Sequence, residues 1–113
     1  MGAGASFVAR TTAFHVQEMQ SMIKDALQHT GFSLIEVISA CPVIYGRLNK
    51  KGGAPQMLKD FRDNSIPLSA LEKLPPDKIE GKIIRGILRK EIRPEFTAEY
   101  TALCKKIQTA GGE

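Results

Sequence analysis

The chain has 113 residues, 42% hydrophobic and 25% charged, with a formal net charge of +4 and a pI near 9.2. That length supports one domain with a core of its own, residues 1–113, and the mild basicity suits a bound anion or an acidic partner. Two cysteines exclude a disulfide scaffold. An aromatic content of 6% without basic-aromatic interleaving argues against nucleic-acid binding, and no apolar run is long enough to span a bilayer.

Ala5 to Arg10 reads as a short strand after a small-residue lead, with Thr11 and Thr12 placed to cap the helix that follows. Val16, Met19, Ile23, Ala26 and Leu27 recur at helical spacing and form its apolar face, with Met22 at the edge of that face. Gly31 is the expected stop. Phe32 to Ile38 is apolar on both faces apart from Ser33 and Glu36, which predicts an interior strand covered on both sides. The helix-length link between these strands is a βαβ signature, with a right-handed crossover expected.

A basic, glycine-bearing loop follows, beginning Cys41-Pro42 and carrying Arg47, Lys50 and Lys51. Pro55 suits the first turn of a second helix, with Met57, Leu58 and Phe61 facing inward, Asn64 as a stop and Pro67 as a barrier to continuation. Ser69 to Leu74 predicts one short helical turn before the break at Pro75-Pro76-Asp77. Lys82 to Glu91 is a third strand, in which Gly86 signals a close backbone approach or a bulge. Pro94 opens a last helix striped by Phe96, Tyr100, Leu103 and Ile107, with Cys104 beside the stripe as a small buried thiol and residues 108–113 as a flexible tail. The order β-α-β-loop-α-β-α predicts an α/β fold with a small, mainly parallel sheet flanked by helices.

No residue set in the chain makes a self-contained active site. There is no Walker loop and no CxxC, and the GAGAS lead precedes a strand where a dinucleotide fingerprint follows one. His15 and His29 lie at opposite ends of one helix and read as ordinary boundary residues. Glu36 reads as the partner of an arginine. Asp60, Asp63, Glu91, Glu95 and Glu99 read as helix-surface charges rather than an acid/base dyad. Cys41 stands apart, because α/β folds place their sites at the carboxyl ends of parallel strands and a thiolate there can ligate a soft metal. One cysteine cannot hold a cluster, so a ligand role requires partners outside this chain.

The segments GASFVAR, FHVQEMQSMIKDALQHTGFSLIEVISACPVIYGRLNK and KIIRGILRKEIRPEFTAEY together resemble the carboxy-terminal part of the β subunit of 2-oxoacid:ferredoxin oxidoreductases. The resemblance runs from about Gly4 to Ile107, and its most specific pieces are GFSLIEVISACP and the YGR-N-K after it. The second piece is closer to the 2-oxoglutarate branch, although Val43 and Leu48 stand where the family often has threonine and arginine.

The resemblance implies a larger thiamine diphosphate-binding fold and an enzyme that oxidatively decarboxylates a 2-oxoacid, 2-oxoglutarate by this pattern, to an acyl-CoA. Electrons pass to ferredoxin, and an α subunit completes the complex. Thiamine diphosphate, Mg2+ and a four-iron cluster serve the whole enzyme, and Cys41 matches the family's late Cys-Pro cluster ligand. The Gly-Asp-Gly motif and the early CxxC are absent from this sequence. The chain therefore reads as a fragment, inactive alone, binding neither thiamine diphosphate nor a cluster by itself and prone to self-association. With no signal peptide pattern, a cytoplasmic setting is expected. The alternative is a stand-alone basic α/β module that binds an anion or a protein and has no redox role.

Overall fold

The computed structural model describes residues 3–110. The elements run β1 (Phe7–Thr12), α1 (Val16–Gln28), β2 (Ser33–Ile38), a π-helical turn (Pro42–Gly46), α2 (Ala54–Asp63) and β3 (Ser65–Pro67). A 3-10 helix (Leu68–Lys73), α3 (Pro76–Ile79), β4 (Ile83–Lys90) and α4 (Phe96–Ala110) follow. The expected α/β class holds, as a four-stranded sheet in the order β2-β1-β4-β3. β1 pairs parallel with β2, β3 pairs parallel with β4, and an antiparallel β1–β4 pairing joins the two halves.

β1 is the central strand, and Phe7, Ala9, Thr11 and Thr12 are each 0% exposed. The core is built on one of its faces, where Phe7 and Ala9 meet Met22 of α1, with Ala26, Ile35 and Ile87 packed around them. Met22 is thus a core residue rather than an edge one. Leu27, expected on the inward face, is 83% exposed. The strand also starts and ends later than its sequence suggests: Thr11 and Thr12 belong to it, and the helix is entered through His15.

The expectation of an interior strand for Phe32 to Ile38 fails in these residues. β4 occupies the far side of β1, so β2 pairs on one side only and forms the edge of the sheet, leaving Leu34 47% exposed. The short β3 and the single helical turn α3, at the expected Pro75-Pro76-Asp77 break, are additions to the predicted order. β3 is too short to show an alternating pattern and exists because Ser65 to Pro67 align with Ile83 to Arg85 of β4.

Gly86 fulfils its prediction as a close approach. Its φ is +141°, and a Cβ there would sit 2.9 Å from Leu68 Cβ. The bulge lies beside it, where the register between β1 and β4 shifts between Val8 and Ala9. Gly31, at φ +130°, admits the Ser6 hydroxyl, which would lie 2.7 Å from an added Cβ.

α4 leaves its stripe open. Phe96, 77% exposed, stacks on Tyr100 with ring centroids 5.9 Å apart, and no residue of the helix is buried. Cys104 on this helix is half-buried rather than buried, because no other layer covers the stripe beside it. The radius of gyration is 20.1 Å, against about 13 Å for a compact domain of this size. A 15-residue helix extends about 22 Å, so an unpacked α4 contributes to the 71 Å long axis. α4 continues through Ala110, three residues into the segment expected to be flexible, and residues 111–113 lie outside the described ones.

Candidate functional site

The carboxyl end of β2 delivers Cys41 to the entrance of the π-helical turn, where it is exposed. Pro42 occupies the first position of the turn, where its lack of an N–H costs no hydrogen bond. The Gly46 amide donates to the Cys41 carbonyl at 2.9 Å, the long-range closure that defines this turn. Short π-helical segments of this type recur at functional sites.

The loop beyond is tied back onto the turn. The Asn49 amide and its side-chain Nδ2 both donate to the Tyr45 carbonyl, at 3.0 and 2.9 Å, and the Lys51 amide donates to the Gly46 carbonyl at 2.8 Å. Lys50 takes a left-handed φ of 52° and Gly52 one of 77°, and between them they reverse the chain into α2.

The backbone N–H groups of Tyr45 and then Ile44 hold the Cys41 thiol below its ordinary pKa; desolvation opposes them, and Val43 adds the smallest lowering contribution. The shift is toward the thiolate, the form that attacks electrophiles and binds metals. Val43, Ile44, Tyr45 and Leu48 follow it along the turn as exposed apolar groups, Leu48 at 76%. Tyr45 and Lys51 also border an open cleft of about 340 Å³ with Met57, Asp60 and Phe61 of α2.

The other sequence-level candidates settle into structural roles. Glu36 pairs with Arg10 across the β1–β2 register, as expected of it. His29 hydrogen-bonds Ser6 Oγ through Nε2 at 2.8 Å and packs on Phe7, with ring centroids 5.6 Å apart. His15 bonds Thr12 Oγ1 through Nδ1 at 2.8 Å. Glu18 of α1 pairs with Arg85 of β4, tying helix to sheet. Asp63 pairs with Arg62, and Glu91 with Arg89 and Arg93. Arg47, Lys50 and Lys51 enter no ion pair among the described residues. No three His, Cys, Asp or Glu side chains converge there to hold a metal ion. Gly46 and Asn49 escaped sequence reasoning, although YGR-N carried both; their roles depend on α2 and the loop.

The chain is 42% identical over 94 residues to the 2-oxoglutarate synthase subunit KorB of Methanothermobacter marburgensis, covering 83% of this chain and 33% of that subunit. It is 36% identical over 109 residues to the subunit of the same name from Methanocaldococcus jannaschii, covering 96% of this chain and 40% of that protein. It is also 30% identical over 87 residues to the 2-oxoacid:ferredoxin oxidoreductase subunit beta of a Sulfolobus species, covering 77% and 28% respectively.

The chain is homologous to the β subunits of 2-oxoacid:ferredoxin oxidoreductases.

It spans about a third of the length of the β subunits it matches. No protein-family model matches it. A solved structure of the 2-oxoglutarate:ferredoxin oxidoreductase from Magnetococcus marinus, with 2-oxoglutarate, coenzyme A and succinyl-CoA bound, superposes with a TM-score of 0.68. The match covers 99% of this chain and 38% of that one at 21% identity, and so establishes a shared fold. Among the described residues, no helix is long and apolar enough to cross a membrane.

Proposed function

We propose that this chain is the carboxy-terminal third of an oxidoreductase β subunit, and that Cys41 supplies one of four cysteine ligands to a four-iron cluster. The observation that carries this reading is the placement of an exposed thiol at a strand end, with peptide N–H groups lowering its pKa. Backbone N–H groups directed at cluster sulfurs tune such centres, and an apolar surround limits water access to them. The residues present fit one corner of a cluster, and the other ligands come from outside this chain.

The complete enzyme would decarboxylate 2-oxoglutarate, attach the resulting acyl group to coenzyme A and reduce ferredoxin, in line with the names of the relatives. An α subunit would complete it. Thiamine diphosphate, when bound, would supply the carbanion-stabilising chemistry. The sequence contains no Gly-Asp pair, and in this reading that cofactor and its magnesium are assigned to the remainder of the subunit. This chain's part is to present the Cys41 thiol from an apolar turn and to offer the cations Arg47, Lys50 and Lys51 to the acidic surface of ferredoxin.

The test is to co-express the chain with a polypeptide completing the β subunit and with the α subunit. Iron content and 2-oxoglutarate-dependent ferredoxin reduction are then measured for the wild type and Cys41→Ser. Loss of iron and of electron transfer in the variant is expected. Unchanged iron content would remove the ligand assignment.

A further inference from the structure

We propose that Gly46, pressed against Met57 of α2, is a positioning residue that sets the direction of the Cys41 thiol. This builds on the reading of Cys41 as a cluster ligand.

Gly46 is the one buried residue of its turn, while Val43, Ile44 and Tyr45 beside it are exposed. A Cβ on Gly46 would lie 2.9 Å from Met57 Sδ, 3.4 Å from the Gly52 carbonyl oxygen and 3.5 Å from the Cys41 carbonyl oxygen. The first distance is closer than two such atoms tolerate, and Met57 is itself buried at 5% exposure. Gly46 does not share the positive φ of Gly31, Gly52 and Gly86, so its backbone would accept alanine, and the cost of a Cβ there is set by how far the buried Met57 side chain gives way.

Displacement at Gly46 reaches Cys41 directly. The Gly46 amide donates to the Cys41 carbonyl at 2.9 Å, and the Gly46 carbonyl accepts from Lys51 at 2.8 Å, which ties the basic loop to the same point. A group added between the turn and α2 displaces the turn and the loop by whatever part of the overlap Met57 does not absorb. α2 thus acts as the anvil on which the cysteine-bearing turn is set.

The experiment compares the wild type, Gly46→Ala, Met57→Ala and the double variant, all in a Cys104→Ser background. In this chain, the rate at which iodoacetamide alkylates Cys41 is followed at fixed pH, with circular dichroism confirming the fold. In the completed enzyme, iron retention and the paramagnetic resonance spectrum of the reduced cluster are recorded. Gly46→Ala is expected to change the alkylation rate, shift the spectrum and lower iron retention about tenfold, the usual effect of losing an outer-shell support. The double variant is expected to recover towards wild type in all three, and Met57→Ala alone, which loosens the seat without crowding the turn, is expected to change them less than Gly46→Ala does. Met57→Phe, which crowds the seat while keeping Gly46, reproduces the defect. Native alkylation and spectrum in Gly46→Ala would overturn the proposal, as would a folded double variant that recovers nothing. If Cys41→Ser keeps its iron, the ligand reading fails by itself, while the alkylation series still decides whether Gly46 seats the thiol.

Discussion

His15 sits at the entrance to α1, its Nδ1 bonded to Thr12 Oγ1 and its ring edge-on to Phe14, with centroids 5.2 Å apart. Partial burial, and next the charge of Arg85, lower its pKa below the ordinary 6.5, while Glu18 opposes them. The unfolded chain therefore takes up this proton at a higher pH than the folded one. Stability associated with the neutral ring is present above the unfolded value and is lost as pH falls through the lower folded value. Urea midpoints are expected to fall between pH 7 and pH 5, and His15→Gln is expected to flatten that slope. An identical slope in the variant would assign the pH dependence to other groups. Glu36 illustrates the opposite case, a residue whose pattern-breaking position is explained by Arg10 alone, in an exposed pair that contributes at most about 1 kcal/mol.

At the scale of elements, α4 shows how a helix can be specified locally without being packed. Glu95 accepts hydrogen bonds from the amides of Thr97 and Ala98, both at 3.0 Å, and from the Thr97 hydroxyl, satisfying amide donors at the start of the helix. The Thr97 hydroxyl and amide, followed by the Ala98 amide, hold the Glu95 carboxyl below its usual range. The cap is complete above the unfolded carboxylate value and is lost as pH falls through the lowered folded value. Glu95→Ala is expected to reduce far-ultraviolet helical ellipticity and to remove the acid-side loss of that signal; retention of both would place the helix start elsewhere. β2 makes the complementary point, since its apolar residues read as an interior strand while its neighbours leave it at the edge. Periodicity reports which side chains tolerate burial, and the partners that bury them lie elsewhere in the chain.

At the scale of the molecule, three apolar surfaces stand open among the described residues: the edge strand β2, the turn around Cys41, and the stripe of α4 from Phe96 to Ile107. An unpaired strand edge and exposed apolar patches favour association. The chain alone is expected to sediment with a mass that rises with concentration, and Phe96→Ser with Ile107→Ser is expected to weaken that rise. A concentration-independent monomer would show that these faces are tolerated in water. Co-expression with the remainder of a β subunit is expected to suppress the association if that remainder covers the same faces.

Local order was legible in the sequence because it is encoded within a few residues. The βαβ opening, the Pro55 helix start, the strand around Gly86, the last helix and the position of Cys41-Pro42 beyond a strand end all follow from periodicity and from proline and glycine chemistry, whereas the proposed ligand role of Cys41 came from the family resemblance. Only the tertiary structure decided that β1 is central and β2 marginal, that the two parallel pairs meet antiparallel, and that three residues form β3. It also decided that Met22 rather than Leu27 enters the core and that Gly46 rests on Met57. Each of these depends on contacts between residues distant along the chain, where the geometry of partners, rather than the pattern of any one segment, determines what is buried.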